Sequence, residues 1–120
     1  MALTVSETGA GARIAVETVL STTPNNDIFG VIITLKTITA ANASAQVVYV
    51  KLYDALFVDV ANLPAPNHVW MVPANATIRL SFETAGWTFL TGLTSRCVQN
   101  NGTPGVTAPS ANVAVTLTVE

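Results

Sequence analysis

Scarcity is the first property of this chain. Its 120 residues include one cysteine, one histidine, five Lys or Arg and seven Asp or Glu. A single cysteine, Cys97, excludes an internal disulfide and a cysteine-based zinc site. A single histidine, His68, means that any Ser-His-Asp or Cys-His device would have to use it, and it lies beside Trp70 in an apolar stretch where packing is the simpler role. Charged residues make up 10% of the chain, against about a quarter in an ordinary soluble domain. The five cations form no cluster, so nucleic acid is not expected as a direct ligand. No run approaches the roughly 18 apolar residues of a membrane span. The opening M-A-L-T-V-S-E-T-G-A-G-A-R has neither a charged start nor a continuous apolar core, so no signal peptide is expected.

What remains is half hydrophobic. A chain of this length forms one domain and removes roughly two thirds of its unfolded surface on folding. Residues 47–54 (V-V-Y-V-K-L-Y-D) are dense in β-formers and alternate strictly, with Val48, Val50 and Leu52 on one face and Tyr49, Lys51 and Tyr53 on the other. That pattern predicts a half-buried strand. Residues 28–38 (I-F-G-V-I-I-T-L-K-T-I) are nearly continuously apolar and β-branched, as in a strand covered on both sides. The two are expected to pair as an antiparallel hairpin at the centre of the core.

Further strands are expected at 12–21, where Ile14, Val16 and Leu20 oppose Arg13, Ala15 and Glu17, and at 67–72. A third, at 77–83, would pair with 67–72 across the tight turn at Pro73, and others follow at 87–98 and 112–120. Residues 55–66 end in Pro64-Ala65-Pro66 and read as a long connection with at most a short edge strand. Residues 99–111 read as a polar loop. Short strands at a spacing of roughly 8 to 12 residues, without a convincing helix, predict an all-β antiparallel sandwich of jelly-roll type. Val48, Val50, Leu52, Ile78, Leu80, Phe82, Val115 and Leu117 are the expected core. Residues 1–11 are light in bulky side chains and contain Gly9 and Gly11. They are expected to form an extended arm that needs a neighbour for order, leaving 12–120 as the sandwich domain.

Candidate chemistry is thin. Asp54, Asp59 and Asn62 carry oxygen ligands without the dense acidic spacing of a calcium loop. Nothing near Cys97 except Arg96 would depress a thiol pKa. The sequons beginning at Asn42, Asn75 and Asn101 read as turns. No catalytic residue, cofactor or metal is expected. The aromatics Tyr49, Tyr53, Trp70 and Trp87 suit a protein interface or core packing, and less readily a sugar platform. With Leu3 and Val5 of the arm they are the candidate interface residues.

Y-V-K-L-Y-D at 49–54, M-V-P-A-N at 71–75 running into I-R-L-S-F at 78–82, G-W-T-F-L-T-G-L at 86–93 and the terminal V-A-V-T-L-T-V together resemble small virion proteins of tailed bacteriophages, the head decoration or cement proteins. The likeness spans about residues 28–120 and rests on strand and turn patterns. It departs from the family's pattern at 99–111 and around 56–60. It implies a non-enzymatic structural protein made in the bacterial host cytoplasm and bound to the outer capsid surface. The major capsid protein would be its partner and a homo-oligomer, dimer or trimer, its state. A carbohydrate-binding or adhesive sandwich is the alternative.

Overall fold

The computed structural model describes residues 3–9, 12–30, 32–82, 85–99 and 107–120. Among them are nine strands and no helix: β1 (Leu3–Gly9), β2 (Ala12–Glu17), β3 (Ile33–Asn42), β4 (Val48–Asp54), β5 (His68–Val72), β6 (Thr77–Ser81), β7 (Trp87–Phe89), β8 (Leu93–Val98) and β9 (Val113–Val119). Every pairing is antiparallel. One sheet has the order β1-β2-β9-β3-β6, with β7 also on β3, and the other has the order β5-β4-β8. The radius of gyration, 13.2 Å, is close to the ~13.6 Å expected of one compact domain of this length.

The core lies between the sheets. From the larger come Ala15, Ile33, Leu35, Ile38, Ala40, Val113, Val115, Leu117 and Val119, and from the smaller Val48, Val50, Leu52, Val72, Leu93 and Cys97. Alternation on β4 and β9 selects these faces. Of the expected core, Val48, Val50, Leu52, Val115 and Leu117 are buried, whereas Ile78, Leu80 and Phe82 are half-buried and pack against the margin. Ile78 and Leu80 are on β6, an edge strand, and Phe82 just follows it, so one flank of each side chain has no neighbouring strand among the described residues.

Several pairings differ from expectation. β3 and β4 do not form a hairpin. They lie in different sheets and face each other across the core. β5 likewise pairs with β4, and β6 with β3, so the turn at Pro73 is also a crossing between sheets. Both crossings meet at Asn42. Its Nδ2 donates to the carbonyls of Gln46 (2.8 Å), Pro73 (3.0 Å) and Val72 (3.3 Å), while its Oδ1 accepts from Ser44 N and Oγ. Residues 28–30 are turn rather than strand, with Gly30 at φ 71°, residue 31 lies outside the described residues, and β3 begins at Ile33 and runs on to Asn42, past the expected strand end at Ile38.

Two faces are also reassigned. On β2 the inward residues are Ala15 and the buried Glu17, while Ile14 and Val16 face outward, half-buried. Glu17 tolerates burial because its carboxylate accepts from Asn25 Nδ2 (2.9 Å) and Val19 N (3.1 Å). β4 is covered on both faces, since Lys51 and Tyr53 are as buried as Leu52. Arg96, opposite Lys51 on β8, is equally buried. It donates from Nε to Thr22 O (3.2 Å) and from Nη1 to the Tyr53 hydroxyl (3.5 Å). Burial first, and the Arg96 charge second, pull the Lys51 pKa below its ordinary value.

Residues 3–9 are not a separate arm. They pair with β2 from Leu3 opposite Glu17 to Gly9 opposite Ala12 and form the edge of the larger sheet, while residues 1, 2, 10 and 11 of the expected arm lie outside the described residues.

Candidate functional site

The six residues selected from sequence fall in three places. Leu3 and Val5 share the inward-facing side of β1 with Ala15 of β2, but the three-stranded sheet does not reach far enough to cover them, and they are 37% and 41% exposed. Tyr49 and Tyr53 are on the outer face of β4. Tyr49 is half-buried, and Tyr53 is 1% exposed and bonded to Arg96, so it is a packing residue and not a surface. Trp70 and Trp87 meet in a cluster of rings.

That cluster joins the margins of the two sheets. His68 and Trp70 come from β5, Trp87 and Phe89 from β7, and Phe82 from the segment after β6. Trp87 lies parallel to His68 at 3.8 Å between centroids and to Phe82 at 4.5 Å, and Trp70 stacks on Trp87 at 5.6 Å and Phe82 at 5.7 Å. Offset stacks of this kind add about 0.5 to 1.5 kcal/mol per pair beyond area burial. Burial lowers the His68 pKa, favouring neutral imidazole inside the stack. Gly86 brings Trp87 there: it has φ 64°, and a Cβ on it would stand 2.7 Å from Leu35 O and 2.5 Å from Thr34 Cγ2. The ring faces are spent on one another, which suits a structural clasp better than a sugar platform.

Four of the five most exposed large apolar side chains among the described residues gather at one end of the domain and were not selected from sequence; the fifth, Met71, is on β5. Leu90, Phe57, Ile32 and Leu56 are 67%, 66%, 63% and 55% exposed. Ile32 and Leu90 lie one residue beyond the Ile33–Phe89 rung, and a Cβ on Gly92 would stand 3.1 Å from Leu56 Cδ2, so the loops are neighbours. Asp54 fastens the Leu90 loop: its carboxylate accepts from the backbone N–H of Thr91 (2.8 Å), Leu90 (3.1 Å) and Gly92 (3.3 Å). Burial opposes ionisation there, yet these three donors hold its pKa below the ordinary carboxylate value. Asp59 accepts from Ala61 N and Asn62 Nδ2. The sequence signal for this end was L-F-V at 56–58, an apolar triplet without alternation inside a proline-containing connection.

Elsewhere the chemistry is sparse. No group of three His, Cys, Asp or Glu side chains among the described residues could hold a metal. Cys97 is buried, and burial pushes its thiol up to about 12 despite Arg96 beside it. An open groove of about 540 Å³ is lined by Thr18, Asn42, Asn75, Thr77 and Asn112 with interspersed alanines, and carries no charged group.

The fold and these surfaces define a class, an antiparallel all-β domain of two sheets with exposed apolar loops. No protein-family model, no curated protein and no solved structure matches the chain.

Proposed function

We propose that this chain is a structural virion protein, a head decoration or cement protein that binds and stabilises the outer surface of a tailed-phage capsid, with the major capsid protein as partner and no catalytic role of its own. The observation that carries the reading is the apolar loop end of Ile32, Leu56, Phe57 and Leu90, presented on a β-scaffold with its Leu90 loop fastened by Asp54. Side chains this exposed and this close together mark an interaction surface more often than a solvated one. Few charges compete with such contacts, since Lys51 and Arg96 are buried and leave only three Lys or Arg for the surface. The resemblance in strand and turn patterns points the same way, and a jelly-roll-like connectivity belongs to the same proposal. β9, the last strand, lies between β2 and β3, so the sheet is closed by distant segments.

The contacts expected of the N-terminal arm pass in this reading to β1, joined by the apolar loops. A carbohydrate-binding module is served less well, because Trp70 and Trp87 stack on neighbouring rings. The test is cosedimentation of purified protein with phage heads stripped of their decoration. Binding that is lost in the Phe57→Ser, Leu90→Ser double variant supports the proposal. Retention on a glycan array with no affinity for heads overturns it.

A further inference from the structure

We infer that two copies of this chain associate edge to edge through β1, antiparallel about a two-fold axis at Val5, so that two six-stranded sheets become one continuous sheet. This rests on the oligomer part of the function proposed above, and names its interface.

Among the described residues the outer edge of β1 carries little of the usual protection: a register shift interrupts the pairing only between Glu7 and Gly9, and Leu3 to Glu7 form a regular strand. Leu3–Gly9 (L-T-V-S-E-T-G) contains no proline, lysine or arginine, and every side chain from Leu3 to Glu7 is exposed. Natural edge strands are ordinarily blunted by such residues or covered. The other margins of this domain are handled differently. β8 is covered by the loop that follows β2, through Cys97 N to Ser21 O (2.8 Å) and the reciprocal bonds of Asn25 and Ser95 (2.8 and 3.1 Å). The margin formed by β6 and β7 is tied to β5 by the stacked rings. Among the described residues nothing covers β1 in this way, and it also overhangs the smaller sheet with Leu3 and Val5 open on its inner side.

A second copy fits this edge by charge and symmetry. Pairing centred on Val5 places Val5 opposite Val5, Thr4 opposite Ser6 and Leu3 opposite Glu7. The one ionisable residue described on the strand therefore faces a leucine, and the two Glu7 side chains stand at opposite ends, so no like charges meet across a rung. Leu3, Val5 and Glu7 share one face of the strand, so the two overhangs bring Leu3 and Val5 of both copies onto the same side, with a Glu7 at each end of that strip. An isologous contact of this kind closes at two copies.

The pairing is read from mass and from a cross-link. Sedimentation of the wild-type chain should give a dimer. Val5→Cys should form a disulfide-linked dimer on mild oxidation, because directly opposite residues have Cα atoms about 4.5 to 5.5 Å apart, within disulfide reach. The buried Cys97 does not compete. Leu3→Cys should not link to itself. Val5→Lys and Val5→Glu should each halve the mass, and an equal mixture of the two should restore it, which a misfolded variant could not do. A monomeric or trimeric wild type, a Val5→Cys chain that stays unlinked, or a charge-swapped mixture that stays monomeric overturns the inference. So does a cross-link from Val5→Cys to a capsid subunit in place of a second copy. Head binding is measured separately: a monomer that binds heads overturns only this interface, and a dimer that ignores them overturns only the proposed function.

Discussion

Asn42, the last residue of β3, donates its side-chain amide to the carbonyl of Pro73 at 3.0 Å, and so ties the crossing from β3 to β4 to the crossing from β5 to β6. All of its polar capacity is used within the chain, and the side chain is buried. Asn42→Ala removes a partner from buried carbonyls and from Ser44. The expected cost is about 2 to 4 kcal/mol, since each buried group left unsatisfied costs about 1 to 3. Urea unfolding measures it, and an unchanged midpoint would show that water replaces the amide without penalty. Asn75, at φ 52° in the same corner, offers a contrast: Asn75→Gly should be neutral or slightly stabilising.

Gly86 and Gly30 separate strain from crowding. Both have positive φ, but a Cβ at Gly30 meets nothing within 4 Å, whereas one at Gly86 runs into Thr34 and the Leu35 carbonyl. Gly30→Ala should cost about 1 kcal/mol, the left-handed penalty alone. Gly86→Ala should cost about 2 to 4 kcal/mol, with the clash added, and it should shift Trp87 fluorescence as the stack is displaced. Equal losses at the two sites would remove the close approach from the account.

His68 links the ring clasp to pH. Burial lowers its folded pKa below the ordinary 6.5, so as pH falls the unfolded chain takes up the proton first. The contribution to stability is therefore complete above about pH 6.5 and is lost as pH drops from there through the folded pKa. His68→Phe keeps a stacking ring and should flatten the dependence in that window. Asp54 acts lower on the scale: its depressed pKa contributes above about 3.8 and is lost as pH falls through the folded value. If wild type and His68→Phe show the same slope between pH 5 and about 6.5, the imidazole is not titrating inside the stack.

Cys97 is expected to be silent in the folded protein. With the thiol buried and its pKa near 12, labelling by a water-soluble disulfide reagent at neutral pH should be negligible and should become stoichiometric in denaturant. Rapid labelling of the native chain would mean that β8 opens readily.

Much of this molecule was legible as sequence because alternation is a local property. The period-two patterns at 47–54, 77–83 and 112–120 give strands, the prolines at 64 and 66 give a connection, and β-branched richness without helical spacing gives an all-β domain. Tertiary structure alone decided which strands share a sheet. Nothing local distinguishes a hairpin turn from a crossing, and the two corners at Asn42 and Asn75 are crossings because their polar groups satisfy each other across 30 residues of chain. Facing was equally non-local. Ile14 and Val16 look like core and Glu17 like surface until Asn25 supplies a partner for the buried carboxylate. Lys51 and Tyr53 are under cover because a second strand, β8, brings Arg96 beside them. The apolar end was hidden for the same reason: a Leu-Phe-Val triplet has no orientation of its own, and Leu56, Ile32 and Leu90 become neighbours only when the β3–β7 pairing and the close approach of Leu56 to Gly92 bring separate loops together.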